Sequence, residues 1–234
     1  MHFASSSQTI LAVSSQVKIL SHRPVEFEFM VWRAAIVTGL SNPTCCDLSI
    51  SQLSLLADLN KACHRNLPMN NGNIVDRNFP FFANGLQPAN EPNILSASLA
   101  NLYQYLICRG AQYRTLAKPH WEGLFRSTTQ LNVMTGSCGL ELLARGLQDL
   151  SNSQIPKINV LACGPVASNR LVNSLVSQKK IQLVIIRGTR DWLANRKIRS
   201  KTLLVSGLGH LGYWDHPDVR SMVCKWLLDR ISPS

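Results

Sequence analysis

The runs KINVLAC (Lys157–Cys163), QLVIIR (Gln182–Arg187) and TLLVS (Thr202–Ser206) are short and nearly continuously apolar, and each is followed by turn residues. Runs of this length without polar alternation predict strands buried on both faces, as in a parallel sheet. Between the first two, Ala167, Leu171, Val172, Leu175 and Val176 recur at helical spacing, predicting a helix over Val166–Ser177. After the third, Pro217 opens a second amphipathic segment, Asp218–Ile231, with Val219, Met222, Val223, Trp226 and Leu227 on one face.

Upstream, a strand at Leu131–Thr135 runs through Gly136-Ser137-Cys138-Gly139 into a helix over Leu140–Leu150. Further back come a helix at Ile94–Arg109, a strand at Val75–Phe82, a helix at Leu48–Leu59 and a strand at Ala34–Thr38. The loose stretches Asn66–Asn73 and Asn84–Asn93 read as loops. Tyr113–Thr129 shows no assignable pattern; Trp121 and Phe125 are expected over the rim of the sheet or over a site there. Alternation of strands with crossovers of a dozen residues predicts an α/β fold: an open, mostly parallel, doubly wound sheet of about six strands, with helices on both faces. Residues 1–24 are expected to be a flexible segment and residues 25–234 a single domain.

The 234 residues are 45% apolar and only 16% charged, with a net charge of +11. Such a charge invites a nucleic-acid or anionic-membrane reading. No RNP-like, zinc-finger or helix-turn-helix pattern accompanies it, so no nucleic-acid partner is expected. No Walker A or G-x-G-x-x-G loop occurs, so no nucleotide cofactor is expected. The seven cysteines are odd in number and form no CxxC pair, and the six histidines are scattered, so neither a disulfide framework nor a metal site is expected. Cysteine usage points to a reducing, cytoplasmic setting. The acid-free, serine-containing first 24 residues keep organellar import open as an alternative. The longest apolar stretch, Phe29–Val37, falls short of the roughly 20 residues of a membrane-spanning helix, and no transmembrane segment is expected. The basic run Lys179–Lys201 reads either as a solvated edge or as a surface steering an anionic acyl substrate, a carrier-protein partner or nucleic acid.

In a doubly wound sheet, sites form at the carboxyl ends of strands. Four loops there carry candidates: Thr38-Gly39-Leu40, Thr135 to Gly139, Arg187-Gly188-Thr189-Arg190-Asp191, and Gly207-Leu208-Gly209-His210. Ser137 stands at the apex of a sharp strand-to-helix turn, and Ser137, Asp191 and His210 each follow a predicted strand. Taken singly, each has another reading: Ser137 as a turn serine, Asp191 as a helix cap or an ion pair with Arg187 or Arg190, His210 as a partner of Asp215. Cys163 reads as a pocket or redox residue, or as core packing.

Together these residues resemble the α/β-hydrolase superfamily, whose nucleophile elbow is a G-x-S-x-G turn and whose triad runs in the order Ser, acid, His. The resemblance spans residues 30 to 231 and is densest from Gly188-Thr189-Arg190-Asp191-Trp192 to Gly209-His210-Leu211-Gly212-Tyr213-Trp214. Thr135 replaces the first glycine of the elbow, Leu140 follows Gly139 where a small residue is common, and Thr38-Gly39 stands where His-Gly is common. The resemblance implies a compact member without a lid, any cover coming from Asn84–Thr129. It implies Ser137 as nucleophile rather than Cys138, His210 as base, Asp191 as its orienting acid, and backbone N–H groups of Leu40 and Cys138 as the oxyanion hole. The implied activity is cleavage or transfer of an acyl group from a small ester or thioester, without a cofactor; the implied alternative is an inactive binding or scaffold protein of the same fold.

Overall fold

The computed structural model describes residues 24–39, 47–66, 73–80, 94–148, 150, 155–178 and 180–231. The segment expected to be flexible, residues 1–24, lies outside them except for Pro24. Six strands are formed: β1 (Met30–Val37), β2 (Ile74–Asn78), β3 (Thr128–Gly136), β4 (Lys157–Cys163), β5 (Gln182–Gly188) and β6 (Lys201–Val205). The helices among the described residues are α1 (Ile50–Asn66), α2 (Ile94–Ile107), α3 (Ala111–Arg126), α4 (Gly139–Gln148), α5 (Asn169–Ser177) and α6 (Pro217–Ile231).

All six strands join one parallel sheet in the order β2-β1-β3-β4-β5-β6. The chain winds outward from β1 to β2, then returns to place β3 on the other flank of β1. That reversal opens a crevice between the carboxyl ends of β1 and β3, where such sheets hold their sites.

Strand periodicity assigns alternate residues to opposite faces. Ala35, Val37, Leu131, Val133, Val160, Ala162 and Ile185 pack with α3, α4 and α5. Ala34, Ile36, Met134, Leu161, Cys163 and Ile186 pack with α1 and α6. Burying both faces explains why these strands lack polar alternation. One polar pair is admitted, because it is matched across the register: Asn132 lies opposite Asn159, whose Nδ2 donates to Asn132 Oδ1 at 2.8 Å.

Several boundaries differ from the sequence reading. β2 ends at Asn78, ahead of Phe79-Pro80, rather than at Phe82. The helix expected from Val166 begins at Asn169, because Ser168 caps it, accepting the Leu171 N–H. The helix expected to stop at Leu59 continues to Asn66.

The segment left unassigned is mostly helix α3 and then the first residues of β3. Trp121 and Phe125 do not cover a site. They are buried on α3, Trp121 edge-on to Phe79 at 4.7 Å and stacked on Phe125 at 5.7 Å. Among the described residues, no helix is long and apolar enough to cross a membrane.

Candidate active site

The turn after β3 is shaped by close packing. Helix α4 starts so near β1 that a Cβ on Gly139 would lie 1.8 Å from the Val37 carbonyl oxygen, and one on Gly136 would lie 2.7 Å from the Trp214 ring. Between them Ser137 is forced to φ = 48°, where an L-residue costs about 1–2 kcal/mol. The turn is stitched to the end of β4: Ser137 N–H donates to Cys163 O at 3.3 Å, and Val166 N–H donates to Ser137 O at 2.9 Å. Thr135, at the position of the missing glycine, is an ordinary buried strand residue opposite Val37 and Ala162. The crowding that demands glycine falls on 136 and 139 instead.

The loops after β5 and β6 are bound to each other. Thr189 N–H donates to Val205 O at 2.9 Å, Gly207 N–H to Thr189 Oγ1 at 2.9 Å, and Arg190 N–H to Leu208 O at 3.1 Å. This pairing carries Asp191 and His210 to the same place. His210 Nδ1 lies 3.1 and 3.0 Å from the two Asp191 carboxylate oxygens, and His210 Nε2 lies 3.1 Å from Ser137 Oγ. The tautomer protonated on Nδ1 donates to the carboxylate and leaves Nε2 to accept from the Ser137 hydroxyl. Ser137, His210 and Asp191 therefore form one hydrogen-bonded chain, and His210 pairs with Asp191 rather than Asp215.

Asp191 is fully buried, so its charge must be met by donors. Besides His210, Tyr213 OH donates to Oδ2 at 2.7 Å, and the Leu193 and Ala194 N–H groups donate to Oδ1 at 3.0 Å each. Burial pushes the carboxyl up, but the hydrogen bonds from Tyr213 and His210, the charge of His210 and the Ala194 N–H together hold it below the usual carboxylate range. No helix forms over residues 192–196, so Asp191 is not the helix cap foreseen; its Oδ1 instead closes a turn over Leu193 and Ala194. Tyr213 OH in turn accepts the Gly188 N–H at 2.8 Å. Burial, then the neighbouring carboxylate, push its phenol well up, so it remains a donor. Gly164, at φ = 53°, leaves the space these groups occupy: a Cβ there would lie 2.5 Å from Tyr213 and 2.6 Å from Asp191 Oδ2.

Of the two backbone donors expected for an oxyanion, Leu40 lies outside the described residues. Cys138 lies inside them, at the start of α4, its carbonyl accepting the Leu142 N–H at 3.1 Å. Its side chain is buried, with Sγ 3.9 Å from Gln104 Oε1 of α2, and burial pushes the thiol up to about 12. Cys163 is likewise pushed up to about 12 by burial and packs in the core beneath α1 and α6. Neither cysteine offers a thiolate at neutral pH.

Two further residues shape this mouth. Asn78, at the end of β2, accepts the Thr38 N–H at 2.8 Å and donates to Gly39 O at 3.4 Å, fixing the chain that leads into Leu40. Asn101 of α2 rests directly on Gly39, where a Cβ would lie 2.0 Å from its Oδ1. The β4–β5 crossover is α5, and α2, within the segment expected to supply any cover, reaches Gly39 through Asn101 and Cys138 through Gln104.

Sequence reading missed Tyr213, Asn78 and Gly164. The signal for Tyr213 was the requirement that a buried acid find donors beyond one histidine. Among the described residues, no group of three or more His, Cys, Asp or Glu side chains is placed to hold a metal ion.

No protein-family model and no curated protein matches the sequence. Solved structures with a similar chain path include a protein of unknown function from Agrobacterium tumefaciens, provisionally named an α/β hydrolase. It shows 12% identity over 89% of this chain and 90% of that one, with a TM-score of 0.45. Esterase PE8 shows 12% identity over 88% and 96%, with a TM-score of 0.47. Esterase RhEst1 from Rhodococcus sp. ECU1013 shows 10% identity over 88% and 94%, also at 0.47. Likeness at this level decides nothing about chemistry. The sheet order, the serine turn after β3 and the paired loops after β5 and β6 give this chain an α/β-hydrolase type of fold.

Proposed function

We propose that the protein is a serine hydrolase or acyltransferase that cleaves or transfers the acyl group of a small ester or thioester. The observation that carries this reading is the unbroken chain from Ser137 Oγ through His210 to Asp191, with Ser137 held at φ = 48° at the switch point of the sheet. A serine in that backbone region costs stability, and strain of this kind clusters at functional sites.

Ser137 Oγ attacks the acyl carbonyl while its proton passes to His210 Nε2, and the carbonyl electron pair moves onto oxygen. Asp191 holds the imidazole in its tautomer and stabilises the cation that forms. The N–H groups of Cys138 and Leu40 receive the oxyanion, each such donor contributing about 2.7–4 kcal/mol to the transition state. Collapse expels the alcohol or thiol, which takes the proton from His210 and leaves an acyl-Ser137. Water, or an acceptor alcohol or thiol, repeats the sequence to release the acyl group. The reading as an inactive scaffold rested on Thr135 and Thr38, and both are accommodated without disturbing the chain of hydrogen bonds.

The test is a panel of short p-nitrophenyl esters and acyl thioesters with wild type and Ser137→Ala. Turnover should fall at least about 10³-fold in the variant; equal turnover in both rejects the proposal.

A further inference from the structure

The rim that carries Asp191 and His210 also carries the most exposed indole among the described residues. Trp192 is 81% exposed, Leu193 43% and Leu211 64%. Trp192 and Leu211 directly follow Asp191 and His210, whose side chains are in contact, so both stand on the two loops that meet at that pair.

This crest is pinned rather than loose. Leu193 and Ala194 N–H bind Asp191, Asn195 N–H and Nδ2 bind Pro165 O and Ala167 O, and Arg199 N–H binds Asn173 Oδ1 of α5. An indole presented this way forgoes the burial that normally rewards its surface. The same loop carries Arg190, Arg196 and Lys197, all exposed, and the only acid between residues 189 and 211 is the buried Asp191.

We propose that this crest seats the protein on an anionic lipid surface. Trp192, Leu193 and Leu211 enter the boundary of the acyl layer, and the flanking Arg and Lys side chains meet the headgroups. A phosphate backbone would make no use of the two leucines, whereas a bilayer edge takes both kinds of group at once. Seating does not depend on the serine chemistry. Combined with that reading, on which this step rests, it assigns membrane-presented acyl esters as the substrate class, because the mouth over Ser137 then faces the lipid.

The test is co-sedimentation of the full chain with phosphatidylcholine vesicles, with and without about 30% phosphatidylglycerol. The anionic vesicles should bind at least about tenfold better, and 0.5 M salt should remove most of the difference. The pair Trp192→Ala and Leu211→Ser should cut binding by roughly tenfold or more. Arg190→Gln, Arg196→Gln and Lys197→Gln together should cut it roughly 10²-fold, at about fivefold per cation. Phe29→Ser, on an exposed residue at the amino ends of the strands, should change nothing, and Ser137→Ala should bind as wild type, so seating and catalysis fail separately. Circular dichroism melts confirm that each variant is folded. The proposal is overturned if wild type shows no preference for anionic vesicles, if folded crest variants bind as wild type, or if only DNA or an acidic protein is retained.

Discussion

Replacing Tyr213 by phenylalanine removes one hydroxyl and leaves the ring in place. That hydroxyl makes two buried bonds, donating to Asp191 Oδ2 at 2.7 Å and accepting from Gly188 N–H at 2.8 Å. Asp191 is fully buried and Tyr213 is 3% exposed, so water cannot replace either partner cheaply. A lost bond to a charged group costs about 1.5–3 kcal/mol and an orphaned neutral donor about 1 kcal/mol, giving a loss of roughly 2.5–4 kcal/mol. For a chain of this size that is a fall in Tm of about 5–15 °C.

The pH dependence separates the two parts. The folded carboxyl of Asp191 lies below its unfolded value of about 3.9, so its stabilisation is complete above that value and is lost as pH falls through the lower folded one. Tyr213→Phe raises the folded value. The gap between wild type and variant should therefore be widest above about pH 5 and narrow below about pH 4 toward the Gly188 part alone. Urea unfolding at pH 7 and at pH 3.5 measures both; a variant within 0.5 kcal/mol of wild type at pH 7, or a gap that widens in acid, refutes the role given to Tyr213.

Gly139→Ala should lose about 3 kcal/mol or more, since its Cβ would sit 1.8 Å from the Val37 carbonyl of a central strand; Gly209→Ala, with nothing within 4 Å, should be near neutral in the same unfolding assay. In the folded protein at pH 7.5, iodoacetamide should leave Cys138 and Cys163 unmodified, because burial keeps both thiols protonated; peptide mass mapping that finds either alkylated before half-buried Cys224 contradicts this.

Strands were legible where Val, Ile and Leu run without interruption: KINVLAC matches β4 residue for residue. The alternation of strand and crossover then fixed a parallel sheet, and the loops at strand ends supplied Ser137, Asp191 and His210. Helix α3 was hidden although Tyr113, Ala117, His120, Trp121, Leu124 and Phe125 recur at helical spacing, because Pro119 interrupts the pattern and reads as a helix breaker. Glu141 lies in the helix expected over Leu140–Leu150 and is fully buried. Arg109 and Arg145 pair with it, and the Ser168 N–H donates to it at 2.7 Å. Such a cluster joins α4 to residues far away in sequence, and no local pattern announces it. The same holds for Asn78 and Tyr213, whose value lies in what they bond across the fold. The tolerance of Thr135 in the elbow was hidden for a related reason: which turn residue must be glycine depends on how closely α4 approaches β1 and Trp214, a tertiary distance.

The central claim is that His210 and Asp191 make Ser137 a nucleophile. Treating the folded protein with a fluorophosphonate probe and mapping the adduct by mass spectrometry tests it most directly. The account predicts one covalent adduct, on Ser137, absent in Ser137→Ala and slowed at least about 10³-fold in His210→Ala. A folded wild type that takes no adduct, or takes it on another residue, contradicts the account.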